Sequence, residues 1–342
     1  MIPSFQNKRA LLVGNGVNLL DSNQSFSWGA LLQELKETYV IDIDLDNVFK
    51  PFPLAFDEIL HQKPGNNDFK GNIKTLKQQI SKSINKQLEG KRGYNEYHNK
   101  LALLSYDDIL TTNYDYSLEK SIVPDFMQIK CKLAQNKQEK KYSLKRSYKM
   151  PNGKKNIWHI HGELFDSRSH SEFSKSYKEQ SIMIGYEHYT SYLERIQKNI
   201  KGKKGTQKVD NQSLMVRLRN SELSPFWTDI FFTHNLDIVG QGFDFSENHL
   251  WWLINFRANA MRPTKLKHKV EINNTIRFFY PKINGAEQIN INEISNLDKL
   301  IEKKNNVKKS KAISEVLKAF SVIPKPIECE SYNDFYNKLT LK

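Results

Sequence analysis

Arg9-Ala-Leu-Leu-Val-Gly-Asn-Gly16 joins a short apolar strand to a glycine turn with no spacer between them. A continuous apolar run of this length, bounded by a turn signal, suits a strand buried on both faces of a sheet. Three later stretches repeat the form. Asp108-Ile-Leu-Thr-Thr112 ends in Asn113-Tyr114-Asp115, Asn156-Ile-Trp-His-Ile-His161 is closed by Gly162, and Leu236-Asp-Ile-Val239 enters Gly240-Gln241-Gly242. Three of these four strands lead into helical sequence. The pattern predicts an α/β fold: a Rossmann-like parallel sheet with helices on both faces and ligand-binding loops at the carboxyl ends of its strands. Motifs far apart in sequence would then meet in one crevice.

The intervening sequence is mostly helical. Trp28 to Tyr39 carries Leu31, Leu32 and Leu35 at helical spacing, and Ile73, Leu76, Ile80, Ile84 and Leu88 mark one face of a long amphipathic helix. Further helices are expected at Tyr94 to Leu104, Tyr186 to Ile200 and Tyr332 to Leu339, with a late strand at Ile276 to Tyr280. The stretch from Asp42 to Asp68, with Pro51, Pro53 and Pro64, reads as irregular connection. Asp244 and Glu247 have the spacing of an N-cap and its N3 partner ahead of the helix that carries Trp251 and Trp252.

Composition narrows the class. Hydrophobic residues make up 38% of the 342 and charged residues 26%, a soluble globular balance, and no uncharged apolar run approaches the ~18 residues of a membrane span. Met1 to Ala10 has no apolar core of a signal peptide, so the expectation is a cytoplasmic protein with no membrane association. The net charge of +14 is concentrated: Met127 to Lys155 holds ten basic residues against one acid, and Lys198–Lys208 and Lys303–Lys311 hold five basic residues each and no acid. Such runs read first as solvated loops; contact with nucleic acid is the alternative. Two cysteines, Cys131 and Cys329, exclude a four-cysteine zinc module.

Each loop has a chemical reading. Gly14, Asn15 and Gly16 let the backbone turn tightly towards a phosphate, and Gly240 and Gly242 repeat that device on a second strand. Two such turns on one sheet edge suit a ligand with two phosphates and two riboses. Thr112, Asn113 and Asp115 present a hydroxyl, an amide and a carboxylate at a strand mouth; the bland alternative is a capped helix start. Alternation along the third strand puts His159 and His161 on one face, His161 at the ligand end. A metal would need further ligands, and apart from Glu163 none stands at close spacing, so no metal is expected.

In this order, the motifs resemble the sirtuin-like family, in which a glycine loop is followed by Thr-x-Asn-x-Asp, then His-Gly, then a late strand ending in a glycine turn. Here they stand as Gly14 to Asn18, Thr111 to Asp115, His161-Gly162 and Gly240 to Gly242, and the helix entry Ser27-Trp28 with Leu31-Leu32 is similar to the bacterial branch. AbiH-type abortive-infection proteins share the Gly-Asn-Gly opening. The resemblance implies that NAD is bound as substrate. Asn113 would position the nicotinamide ribose or a water, His161 would act as general base, Asp115 would hold the nicotinamide amide, and Gly14, Asn15, Gly16, Asn18, Thr112, Gly240 and Gly242 would contact the cofactor. The family's deacylases carry a four-cysteine zinc module that this chain lacks, and Asn18 replaces the serine often found after the first glycine pair. The expectation is therefore NAD hydrolysis, as in the NAD-depleting proteins of bacterial antiphage defence. That setting implies a homo-oligomer and a companion defence protein such as a helicase-like ATPase. A non-catalytic NAD or ADP-ribose module is the alternative. We expect one sirtuin-like domain over residues 1–342, with helical insertions at about 42–105 and 186–225 and a basic insertion at about 127–155.

Overall fold

The computed structural model describes residues 8–20, 27–45, 50–64, 68–88, 93–126, 143–151, 155–164, 182–203, 208–220, 226–262, 271–283 and 309–339. Its frame is a seven-stranded sheet: β1 (Arg9–Val13), β2 (Asp108–Thr111), β3 (Ser147–Lys149), β4 (Asn156–His159), β5 (Asn235–Val239), β6 (Ile276–Ile283) and β7 (Val322–Cys329). The order across the sheet is β3-β4-β2-β1-β5-β6-β7. Every pairing is parallel except that of β3 with β4. Without the antiparallel edge strand β3, the six parallel strands have the 3-2-1-4-5-6 order of a dinucleotide-binding sheet. The strand order reverses between β1 and β5, which opens a crevice at their carboxyl ends.

Sequence alternation decides what each face buries. Leu11, Val13, Ile109 and Ile157 join one core cluster, while Ala10, Leu12, Leu110 and Trp158 join the other. The first cluster receives apolar faces of α1 (Trp28–Tyr39), α2 (Phe52–Gln62), α3 (Phe69–Leu88) and α4 (Glu96–Leu103). A short α5 (Ser117–Ile122) follows β2. The second cluster receives α6 (Tyr186–Lys201), α7 (Leu214–Arg219), α8 (Trp227–Thr233), α9 (Asn248–Met261) and α10 (309–319). The last helix, α11 (Tyr332–Lys338), returns Phe335 and Tyr336 to the first. Both faces are covered, as a parallel sheet requires. Among the described residues no helix is long and apolar enough to cross a membrane.

Three expectations need correction. The region from Asp42 to Asp68 is not wholly irregular, because α2 lies within it and buries Ala55, Phe56, Ile59 and Leu60. Its prolines do not break it: Pro51 is the N-cap and Pro53 lies in the first turn, where a missing N–H costs no intrahelical bond. The β4 strand ends at His159, two residues earlier than expected, and His161 lies in the turn beyond it. The Asp244–Glu247 capping pair does not form, since the N-cap of α9 is Glu247, without a side-chain cap bond. Asp244 instead closes the preceding turn, accepting from the Ser246 N–H at 2.9 Å.

The lysine-rich segments fall largely outside the described residues. Where they are described, most of their lysines are exposed, among them Lys145, Lys149, Lys198, Lys201 and Lys309, but Lys155 is buried and its Nζ donates to the carbonyls of Ala102 and Leu104 at the carboxyl end of α4.

Candidate active site

The loops after β1 and β5 pack directly on one another. Gly14 N–H donates to Val239 O and Gly16 N–H to Gly240 O, each at 2.9 Å. A Cβ on Gly14 would lie 2.3 Å from the Gly240 carbonyl oxygen. These glycines are therefore needed so that two backbones can touch, and their amides are spent on the partner loop instead of facing a phosphate. Gly240 adopts φ 64°, the left-handed region that favours glycine. Gly242 has no atom within 4 Å of the position a Cβ would take, so it leaves open space.

A cavity of about 1540 Å³ opens at this junction. Asn15, Gly16, Thr112, Asn113, His161, Gly240 and Gly242 line it, together with Tyr189, Gln241, Asp244 and Glu247. It continues past the end of β6 to α10 and to Tyr332 and Tyr336 of α11. Gly14, Asn18 and Asp115 support this wall from outside its lining. The Asn18 amide donates to Asn15 Oδ1 at 2.8 Å and to Asp115 Oδ2 at 3.0 Å, while Asp115 Oδ1 accepts from the Ser117 N–H.

His98, which the sequence reading missed, orients that cluster. Its Nδ1 accepts from the Asn95 N–H at 3.1 Å, so its Nε2 carries the proton and donates to Asn18 Oδ1 at 2.8 Å. Only its place in the Asn95 capping box hinted at such a role.

Asn113 follows β2 and is fixed from three sides. Its N–H donates to Thr111 Oγ1 at 3.0 Å, its Nδ2 to Gly14 O at 3.4 Å, and its carbonyl accepts from His159 Nδ1 at 3.2 Å. Its side-chain oxygen, buried at the cavity wall, has no partner. A buried acceptor left open in this way is costly unless a ligand or water completes it.

The two histidines have different surroundings. His159 is fully buried, packs edge-on against Tyr116 and Tyr148, and sets Nε2 2.6 Å from Glu119 Oε1. Burial drives its charge off, but the Glu119 carboxylate, with help from Glu163, outweighs burial and raises its pKa above the ordinary histidine value. Both ring nitrogens face acceptors, Glu119 Oε1 at Nε2 and the Asn113 carbonyl at Nδ1, and the Nδ1–H holds that carbonyl. His161, turned away by the end of β4, packs on Tyr189 and His249 instead. The expected common face is absent because alternation stops where the strand stops.

Near His161 stand two further groups that sequence reasoning did not place there. His249 Nε2 lies 2.8 Å from His161 Nε2, and Glu247 Oε2 lies 3.2 Å from it. Burial, and then the neighbouring His161, hold His249 well below the ordinary histidine range, so its ring is neutral. The sequence signal was only an acid and a histidine two residues apart after the second glycine turn.

Part of the chain is similar to the SIR2-like domain family. That family's model matches residues 107–269. The matched residues include β2, β4, β5 and α9, and with them Asn113, His161 and the Gly240–Gly242 turn. The first glycine loop lies outside the matched residues, yet β1 pairs with both β2 and β5 at the centre of the sheet. SIR2-like domains use NAD as substrate, and the match suggests an NAD-related function. Comparison with curated proteins finds no match.

Proposed function

We propose that this protein is an NAD glycohydrolase that cleaves the nicotinamide–ribose bond of NAD to give nicotinamide and ADP-ribose. The observation that carries the reading is the unpartnered Asn113 side-chain oxygen in the same cavity wall as His161, between two glycine loops at the reversal of strand order.

In the proposed reaction the C1′–N bond breaks and its electron pair leaves with neutral nicotinamide. The ribose becomes oxocarbenium-like, and water adds to C1′. The Asn113 oxygen accepts a hydrogen bond from the attacking water or a ribose hydroxyl and orients it. His161 removes the proton that the oxygen must shed. His159 and Glu119 act on Asn113 through its backbone, as positioning residues. Water, NAD and one released proton balance the step. We extend the proposal to NAD depletion during antiphage abortive infection, on the strength of the sequence resemblance.

The test is nicotinamide release from NAD, followed alongside NAD affinity. Turnover by the wild type, lowered about 100-fold in Asn113→Ala at little changed affinity, is the expected result. NAD binding with no nicotinamide release would favour a non-catalytic binding module.

A further inference from the structure

Three lone-pair atoms converge where β4 and α9 meet. His161 Nε2 and His249 Nε2 lie 2.8 Å apart, and Glu247 Oε2 lies 3.2 Å from the first and 3.8 Å from the second. A tetrahedral ion with ligand bonds of about 2.0–2.2 Å holds its ligand atoms about 3.3–3.6 Å apart, and these separations lie on either side of that range. Without an ion, a single proton bridges the two ring nitrogens. Glu247 Oε2 and His249 Nδ1 then remain buried with no hydrogen-bond partner.

Two imidazoles and a carboxylate form a ligand set of intermediate softness, which suits zinc, cobalt or nickel better than magnesium or calcium. His161 and Glu247 line the cavity, so a fourth coordination position would face it. His159 takes no part, because Glu119 and the Asn113 carbonyl already occupy its ring nitrogens.

We propose that His161, Glu247 and His249 bind a zinc-class divalent ion and that the bound ion switches the active site off. The second half rests on the NAD-hydrolase reading above. A neutral imidazole bound to an ion through Nε2 keeps its proton on Nδ1, so neither nitrogen of His161 can accept another. Loading the ion therefore removes the base, and releasing it restores the base. This departs from the expectation of a metal-free chain, which weighed only ligands close in sequence, His159 and His161 with Glu163 beyond the turn.

The experiment has two arms, both on the full chain stripped with a chelator and dialysed. In the first, cobalt(II) is titrated in and followed by its visible absorption, with zinc binding measured by calorimetry. One ion per chain is expected, with the spectrum of a nitrogen- and oxygen-ligated site. His249→Ala and Glu247→Gln should each bind at least ~10-fold more weakly, and Asn113→Ala as the wild type does. Absence of binding, or equal binding by both ligand variants, overturns the site. In the second, nicotinamide release is measured in the stripped protein, after stoichiometric zinc, and after renewed chelation. Loss of release with zinc and recovery with chelator is expected. Release unchanged or accelerated by zinc overturns the switch. No release in any state overturns the hydrolase reading and the switch with it, while the ion site is judged on the titration alone.

Discussion

Replacing Gly14 with alanine tests whether the two glycine loops must touch. The added Cβ would stand 2.3 Å from the Gly240 carbonyl oxygen, 2.4 Å from Gln241 Oε1 and 2.6 Å from Gln241 Cα. The glutamine side chain can swing aside, but the other two atoms are backbone. Non-bonded carbon atoms settle at about 3.5–4.0 Å, so the loop after β5 must retreat by about 1 Å. That retreat breaks the bonds from Gly14 N–H to Val239 O and from Gly16 N–H to Gly240 O. At about 1 kcal/mol net for each bond, with about 1–3 kcal/mol for overpacking, Gly14→Ala should cost about 3–5 kcal/mol. That is a large part of the ~5–15 kcal/mol that holds a domain together. Gly242→Ala is the internal control, since nothing lies within 4 Å of its added carbon and neither glycine has a positive φ. It should stay within about 0.5 kcal/mol of the wild type. Urea unfolding followed by circular dichroism reads both. A Gly14→Ala protein within about 1 kcal/mol of the wild type would refute the packing argument.

Three other outcomes are expected. His161→Ala should lower nicotinamide release by about 100-fold or more while NAD affinity, measured by calorimetry, persists; equal rates would place the base elsewhere. His159→Ala should cost about 3–5 kcal/mol in urea unfolding, because it leaves the buried Glu119 carboxylate without its partner; an unchanged midpoint would show that the pair is not ionised. Burial works to raise the pKa of Asp108, but the His234 imidazole 3.1 Å from it and hydrogen bonds from Trp158 and Asn156 prevail and lower it. Its contribution to stability is therefore present above about pH 4 and is lost as the pH falls through the lower folded-state value. Asp108→Asn should flatten the acid limb of the stability profile, and a limb as steep as that of the wild type would contradict this.

The strands that carry the site could be read from sequence because burial on two faces demands a continuous apolar run, visible within five residues at Arg9–Val13. The order of the loops along the chain, and the amphipathic faces of α1 and α3, were legible for the same local reason. The helix at Phe52–Gln62 was hidden because its prolines signal a break and become harmless only in the first turn, a boundary that its packing against the core selects. Partnership was out of reach of sequence. Gly14 meets Gly240, Asn18 meets His98 and Asp115, and His161 meets His249 across separations of 80 residues or more, because β1 lies between β2 and β5. The sequence by itself determined which residue types stand at the strand mouths. Only the tertiary structure decided which amides are spent on a neighbouring loop, which histidine holds the Asn113 backbone and which faces the cavity. A hydrogen bond depends on the position of both its ends, and here strand order sets the position of the second.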